Sequence, residues 1–257
     1  MKKILSCLLL ISFFTFPIFA QDKDKDDEEK GNEFSKPFSA KVGGAGGFTP
    51  VVGMFDNTEI DKYLKAANLP TLGSDPMYLM GGEGYGYIMF LKNVRFGGLG
   101  VSGHRTVSNV TNNIKKEVEY GVNYGGFLVD YVIPVSYKLD VAFGASIGGG
   151  SIDIRMTKDD GGFKTWDSLW TNYGTPNSTT SNYTRKLTGS FGVFNPHVNV
   201  EYTVLRWMQI RLGVGYPIIY SPDWKLDDQF TVENVPSKIK ASGYTVNAGI
   251  MFGFFGW

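Results

Sequence analysis

Hydrophobic residues in this chain recur mostly at every second position and seldom in blocks. Near the C-terminus, Tyr244, Val246, Ala248, Ile250, Phe252 and Phe254 alternate with Thr245, Asn247, Gly249, Met251 and Gly253. A β-strand sends successive side chains to opposite faces, so this spacing predicts a strand with one apolar and one mixed face. The same period returns upstream. Met208, Ile210, Leu212, Val214 and Tyr216 alternate with Gln209, Arg211, Gly213 and Gly215, while Val198, Val200, Tyr202 and Val204 alternate with His197, Asn199, Glu201 and Thr203. Tyr137, Leu139, Val141, Phe143, Ala145 and Ile147 share one face opposite Lys138 and Asp140. Their phase shifts at Gly148-Gly149-Gly150, which predicts a bulge.

Eight stretches follow this pattern: residues 39–48, 77–91, 93–108, 114–132, 136–156, 187–204, 206–219 and 241–256. Each is long enough to cross a bilayer as a tilted strand of about 9 to 11 residues. Tight connections are expected around Lys92, Pro134 and Arg206; residues 49–76, 109–113, 157–186 and 220–240 form connections that are mostly long and polar. Short turns alternating with long loops fit an up-and-down barrel that spans an outer membrane, and an even strand count puts both termini at one end. A sandwich of eight strands neither segregates its loops this way nor exposes alternating aromatics. One segment has helical spacing instead: in residues 57–68, Ile60, Tyr63, Leu64 and Ala67 share a face, with Thr58 and Asp61 in capping-box relation. A small lid or surface helix is expected there.

Composition agrees with a barrel wall. The chain has 33 glycines among 257 residues and is 15% aromatic, and that glycine share is nearly twice the roughly 7% of ordinary proteins. The N-terminus supplies Lys2 and Lys3, an apolar stretch Ile4–Phe19, then Ala20 and the charged run Gln21–Glu33. That is a secretory signal peptide over residues 1–20, followed by an acidic disordered spacer over 21–38 and a barrel over 39–257. Cleavage removes Cys7, the one cysteine, and leaves 23 basic against 25 acidic side chains, a net charge of −2. No disulfide is expected in the mature chain. Nor is nucleic acid a partner, because phosphate binding needs clustered positive charge.

Charged residues inside alternating strands belong to the lumen, since a midplane Arg or Lys facing lipid costs about 2 to 4 kcal/mol. Arg95, Glu119, Asp130, Lys138, Asp140, His197, Glu201 and Arg211 are the inward candidates. Both signs are present, and an eight-stranded barrel is narrow enough for side chains to fill. A salt-bridged, non-conducting lumen is therefore expected. Gly144-Ala145-Ser146-Ile147-Gly148 matches the nucleophile-elbow string but lacks the strand-to-helix turn that this chemistry needs. His104, with Ser102, Arg105 and Ser108 nearby in sequence, raises the alternative of a lipid-acyl enzyme; the reading favoured here is non-enzymatic, with His104 a lumen hydrogen-bonder. The glycine strings lack phosphate-loop spacing, and no cluster has metal-ligand spacing, so no cofactor and no metal are expected.

An apolar outer face, a mixed inner face and a terminal aromatic resemble the closing strand of bacterial outer-membrane barrels. On topology and that last strand, residues 39–257 resemble the small OmpX-type and opacity-type barrels. The resemblance implies an all-β, eight-stranded antiparallel transmembrane barrel in the bacterial outer membrane with a structural or surface-interaction role. Its expected partners are outer-membrane lipid and the barrel-assembly machinery. Phe252, Phe254 and Trp257 then form the insertion signal, although Trp257 has the opposite parity to the other two. Two alternatives remain: a narrow pore or transporter for small hydrophobic molecules, and a periplasmic lipocalin-like binding barrel with its apolar residues turned inward.

Overall fold

The computed structural model describes residues 42–161, 165–174 and 182–256. The predicted signal peptide and spacer, and Trp257, lie outside the described residues. The strands are β1 (Val42–Phe48), β2 (Val51–Phe55), β3 (Met77–Tyr87), β4 (Val94–Thr111), β5 (Ile114–Pro134), β6 (Leu139–Asp159), β7 (Tyr183–Leu205), β8 (Met208–Gly215), β9 (Ile218–Leu226), β10 (Phe230–Thr231) and β11 (Gly243–Gly256). All pairings are antiparallel. β1 and β2 form one stave interrupted at Thr49-Pro50, where proline has no N–H to give to the ladder; both halves pair with β3 on one side and β11 on the other. β8 and β9 likewise form one stave interrupted before Pro217, and both pair with β7. With β8 joined to β11 and β11 joined to β1, eight staves close into a ring. This is the barrel that the alternation predicts.

Several expectations need correction: residues 49–76 carry β2, and residues 220–240 carry most of β9 and all of β10, so both connections are shorter than expected. Residues 109–113 are not a loop: β4 and β5 meet at Asn112-Asn113, whose φ values of 50° and 63° make a two-residue hairpin, a turn that Asn tolerates well. No bulge occurs at Gly148–Gly150 either, because β6 stays in register with both neighbours across it. What changes there is the polarity of each face. In β5, Phe127, Val129, Tyr131 and Ile133 point outward, while Asp130 is buried inside between Leu128 and Val132. Above Gly125 the faces exchange character, with Val118, Tyr120, Val122 and Tyr124 buried inside and Glu117, Glu119 and Asn123 outside. β6 repeats the exchange: Phe143 and Ile147 are exposed below, and Ile152 and Ile154 are buried above.

A row of outward glycines marks the change. Gly82 pairs with Gly100, Gly100 with Gly125, Gly125 with Gly149, and Gly149 with Gly192. Beyond it the next outward row is Ser102, Asn123, Ser151 and Ser190, again paired strand to strand. The barrel therefore has two storeys. The lower, at the end with three tight turns and with Val42 paired to Gly256, is apolar outside and charged inside. The upper is polar outside and holds an apolar core of Leu79, Val101, Tyr120, Val122, Ile152 and Phe191 with their neighbours.

A helix over Thr58–Ala66 closes the upper mouth, packing buried Ile60 and Leu64 onto that core. The expected capping box does not form. Asn57 is the N-cap, without a side-chain cap bond; Asp61 instead accepts hydrogen bonds from the backbone N–H groups of Leu72 (2.7 Å) and Gly73 (3.0 Å). At the other end Asn68, with φ 60°, follows the helix, and Leu69 N–H closes onto Leu64 O at 2.9 Å. Such a left-handed residue satisfies the last carbonyls of a helix. A second helix, Trp166–Gly174, lies in the loop between β6 and β7. Sequence periodicity does not single it out.

Candidate functional site

The lower lumen is filled by an ion-paired network drawn from five staves. Arg95 enters from β4, Asp130 from β5, His197 and Glu201 from β7, Arg211 from β8 and Glu83 from β3. Arg95 donates from Nε to Asp130 Oδ2 at 2.9 Å, and from Nη1 and Nη2 to both oxygens of Glu201 at 2.8 and 2.5 Å. That two-point grip uses the planar fork that only arginine has. Arg211 Nη2 lies 2.8 Å from Glu201 Oε1, and Arg211 Nη1 pairs with Glu83. His197 sends Nε2 to Asp130 Oδ1 at 2.8 Å, while its Nδ1 lies 3.1 Å from the Asn195 carbonyl oxygen.

Tyr85 completes the plug. Its hydroxyl donates to Gln209 Oε1 at 2.8 Å, and its ring carries the Arg95 guanidinium at 3.9 Å and that of Arg211 at 5.2 Å. Cations over an aromatic face are attracted by its quadrupole. Arg95, Glu201 and Arg211 are all 0% exposed. An ordinary desolvation cost of several kcal/mol per ion makes such burial tolerable only with near-complete pairing. Gly144, opposite Asp130, makes room for it, since a Cβ there would collide with Asp130 Oδ1.

Of the eight inward candidates, the structure brings together Arg95, Asp130, His197, Glu201 and Arg211, and it buries Asp140 in the lumen at the lower end. Two candidates lie elsewhere. Lys138 is exposed in the turn before β6. Glu119 is on the outer wall of the upper storey, 3.9 Å from Arg155; it has the opposite parity to Asp130, and both looked inward only because the apolar phase of β5 inverts between them. Sequence reasoning missed Glu83 and Tyr85. The outward face of β3 at this level is Gly82, Gly84 and Gly86, so no apolar alternation revealed its register. The glycine period itself was the available signal.

His104 is exposed on the outer wall, not in the lumen. Among the described residues, no hydrogen bond or ion pair ties it to Ser102, Ser108 or a carboxylate. Arg105 faces the other way and holds the lid loop through Leu72 O at 2.9 Å and Asp75 Oδ2 at 3.1 Å. Ser146 of the nucleophile-elbow string is a buried residue of β6.

No family model matches the chain, and no curated protein does. Among solved structures it is similar to small outer-membrane barrels. One is Ail, the attachment invasion locus protein of Yersinia pestis, solved in complex with the heparin analogue sucrose octasulfate, at 9% identity over 84% of this chain and 100% of that one, with a TM-score of 0.40. Another is a major outer membrane protein from Thermus thermophilus, at 7% identity over 82% and 99%, with a TM-score of 0.42. A third is OprG from Pseudomonas aeruginosa, at 10% identity over 84% and 94%, with a TM-score of 0.35.

Proposed function

We propose that this chain is a bacterial outer-membrane barrel with a sealed lumen, whose raised upper storey is a surface for interactions outside the cell. The inversion of both faces along the wall carries this reading. From Tyr244 to Phe254 the outward side chains of β11 are apolar. Ten steps at about 3.3 Å, tilted by roughly 40°, span about 25 Å, the height of the apolar band on such barrels. Above the band, ten or so residues of β5 and of β7 continue with polar outer faces, so the wall rises roughly 20 to 25 Å beyond the lipid. A periplasmic binding barrel would need the reverse pattern in the lower storey. Surface recognition, barrel-assembly partners and the absence of catalysis belong to this proposal.

The network of Arg95, Glu201 and Arg211 supports a closed lumen, and so does the lid helix above it. Single-channel recording in planar bilayers is the test. The chain should show no stable large conductance, and a combined Arg95→Ala, Glu201→Ala, Arg211→Ala variant with the lid loop cut should open one. A stable, large conductance in the unaltered protein would replace this reading with a pore. Membrane fractionation with urea washing, read by heat-modifiable gel mobility, tests the location; recovery in the soluble fraction would overturn it.

A further inference from the structure

The ion-paired network leaves two imbalances in the lower lumen. The first is charge. Arg95 and Arg211 stand against Glu83, Asp130, Asp140 and Glu201, so even with His197 counted as a cation three positive groups meet four negative ones. A buried charge without compensation is costly. The second is hydrogen bonding. Among the described residues, Asn195 Oδ1 and Asn247 Oδ1 are buried without a hydrogen-bond partner, and such atoms in folded proteins nearly always have one. Asn195 is only 7% exposed, and Asn247 already donates its Nδ2 to Asn199 Oδ1 at 3.3 Å.

Both asparagines line one cavity of about 30 Å³, together with Thr49, Glu83, His197 and Thr245. Its space comes from β8, which turns two glycines inward: Gly213 between Asn199 and Asn247, and Gly215 between His197 and Thr245. A Cβ on Gly215 would stand 2.8 Å from Asn195 Oδ1 and 3.0 Å from Thr245 Oγ1, so both oxygens face the space over that glycine. The ring nitrogens of His197 are engaged by Asp130 and the Asn195 carbonyl, which leaves oxygen atoms as the donors. We infer that this cavity binds one dehydrated alkali-metal cation, held by Asn195 Oδ1, Asn247 Oδ1 and Thr245 Oγ1 with the Glu83 carboxylate beside it. Oxygen donors select a hard cation, and the excess of negative charge excludes an anion. Calcium takes six to eight oxygens and magnesium keeps several waters. One carboxylate and a cavity little larger than a water molecule suit neither.

The test is urea titration of the full chain in neutral phosphatidylcholine vesicles, at one ionic strength, with sodium chloride or N-methyl-D-glucamine chloride as the salt. The organic cation screens surface charge equally but is too large for the cavity. A ligand that binds only the folded state raises the folding constant in proportion to one plus its concentration over its Kd, about tenfold when sodium exceeds the Kd tenfold. Folding constants should therefore climb with sodium at fixed ionic strength. Gly215→Ala puts a methyl group into the site and Asn195→Leu removes a ligand, and each should lose the climb; where the tighter Gly215→Ala fails to fold, Asn195→Leu decides. Asn195→Asp adds a carboxylate and should steepen it. Equal folding constants in the two salts would overturn the inference and leave the cavity to water. A sodium dependence that survives Asn195→Leu would also overturn it, because the cation would then sit elsewhere. The inference rests on the closed lumen, and the two fail differently: an open lumen conducts in a planar bilayer, whereas a closed lumen without the cation neither conducts nor distinguishes the salts.

Discussion

At the scale of single residues, Glu201 holds the lumen together because two guanidiniums share it. Removing one member of a buried ion pair leaves the others desolvated and uncompensated, at a cost of about 3 to 5 kcal/mol. Glu201→Ala should therefore lower the folding stability in vesicles by that amount, read from urea titration. Lys138→Ala, in an exposed turn, should leave the urea midpoint in neutral phosphatidylcholine vesicles unchanged. At the opposite end, Asp227 accepts the Lys186 backbone N–H at 3.0 Å and the Arg185 guanidinium at 2.6 Å. Those bonds, the backbone one first, hold its carboxyl below the ordinary carboxylate value. A lowered value means that the contribution is complete above the unfolded pKa and lost as pH falls through the folded one. Hydrogen exchange in the β9–β10 hairpin should thus be flat from pH 7 to 5 after correction for intrinsic rates and rise below about pH 4. Asp227→Asn should abolish the rise, and a rise that persists in that variant would assign it to another group.

At the scale of elements, the lid helix is held more by packing than by its own ends. It has nine residues and no side-chain N-cap bond, and isolated helices of that length are marginal in water. Leu64, 3% exposed, should carry most of its stability. Leu64→Ala should cost about 2 to 5 kcal/mol of local stability, seen as faster proteolysis within residues 56–76, while Tyr63→Ala on the exposed side should change little. Equal sensitivity in both variants would mean that the helix does not seat on the core. The helical spacing of Ile60 and Leu64 was legible because it is local. The partner of Asp61 was not, since Leu72 and Gly73 lie eleven and twelve residues away.

At the scale of the whole molecule, the outer wall changes from apolar to polar partway along the long strands. Val129→Lys, on the lower outer wall, should destabilise the barrel by about 2 to 4 kcal/mol near the midplane. Glu119→Lys, on the same face of β5 above the glycine row, should be nearly neutral. Folding midpoints in vesicles check both, and a comparable loss at position 119 would place lipid against the upper storey. This inversion also explains the misassignments. A bulge was expected in β6 and Glu119 was expected in the lumen because alternation shows which residues share a face, but not whether that face meets lipid, water or the core.

By itself the sequence determined the strand period, the number of staves, the three tight turns at one end, and most of the charged lumen, because all of these depend on neighbours two residues apart or on runs of composition. Only the tertiary structure decided the height at which the apolar phase inverts, the register of β3 with Glu83 and Tyr85, and the sharing of Glu201 between Arg95 and Arg211. Those features depend on pairing between strands distant in sequence, and a glycine face leaves no mark of which way its strand is turned.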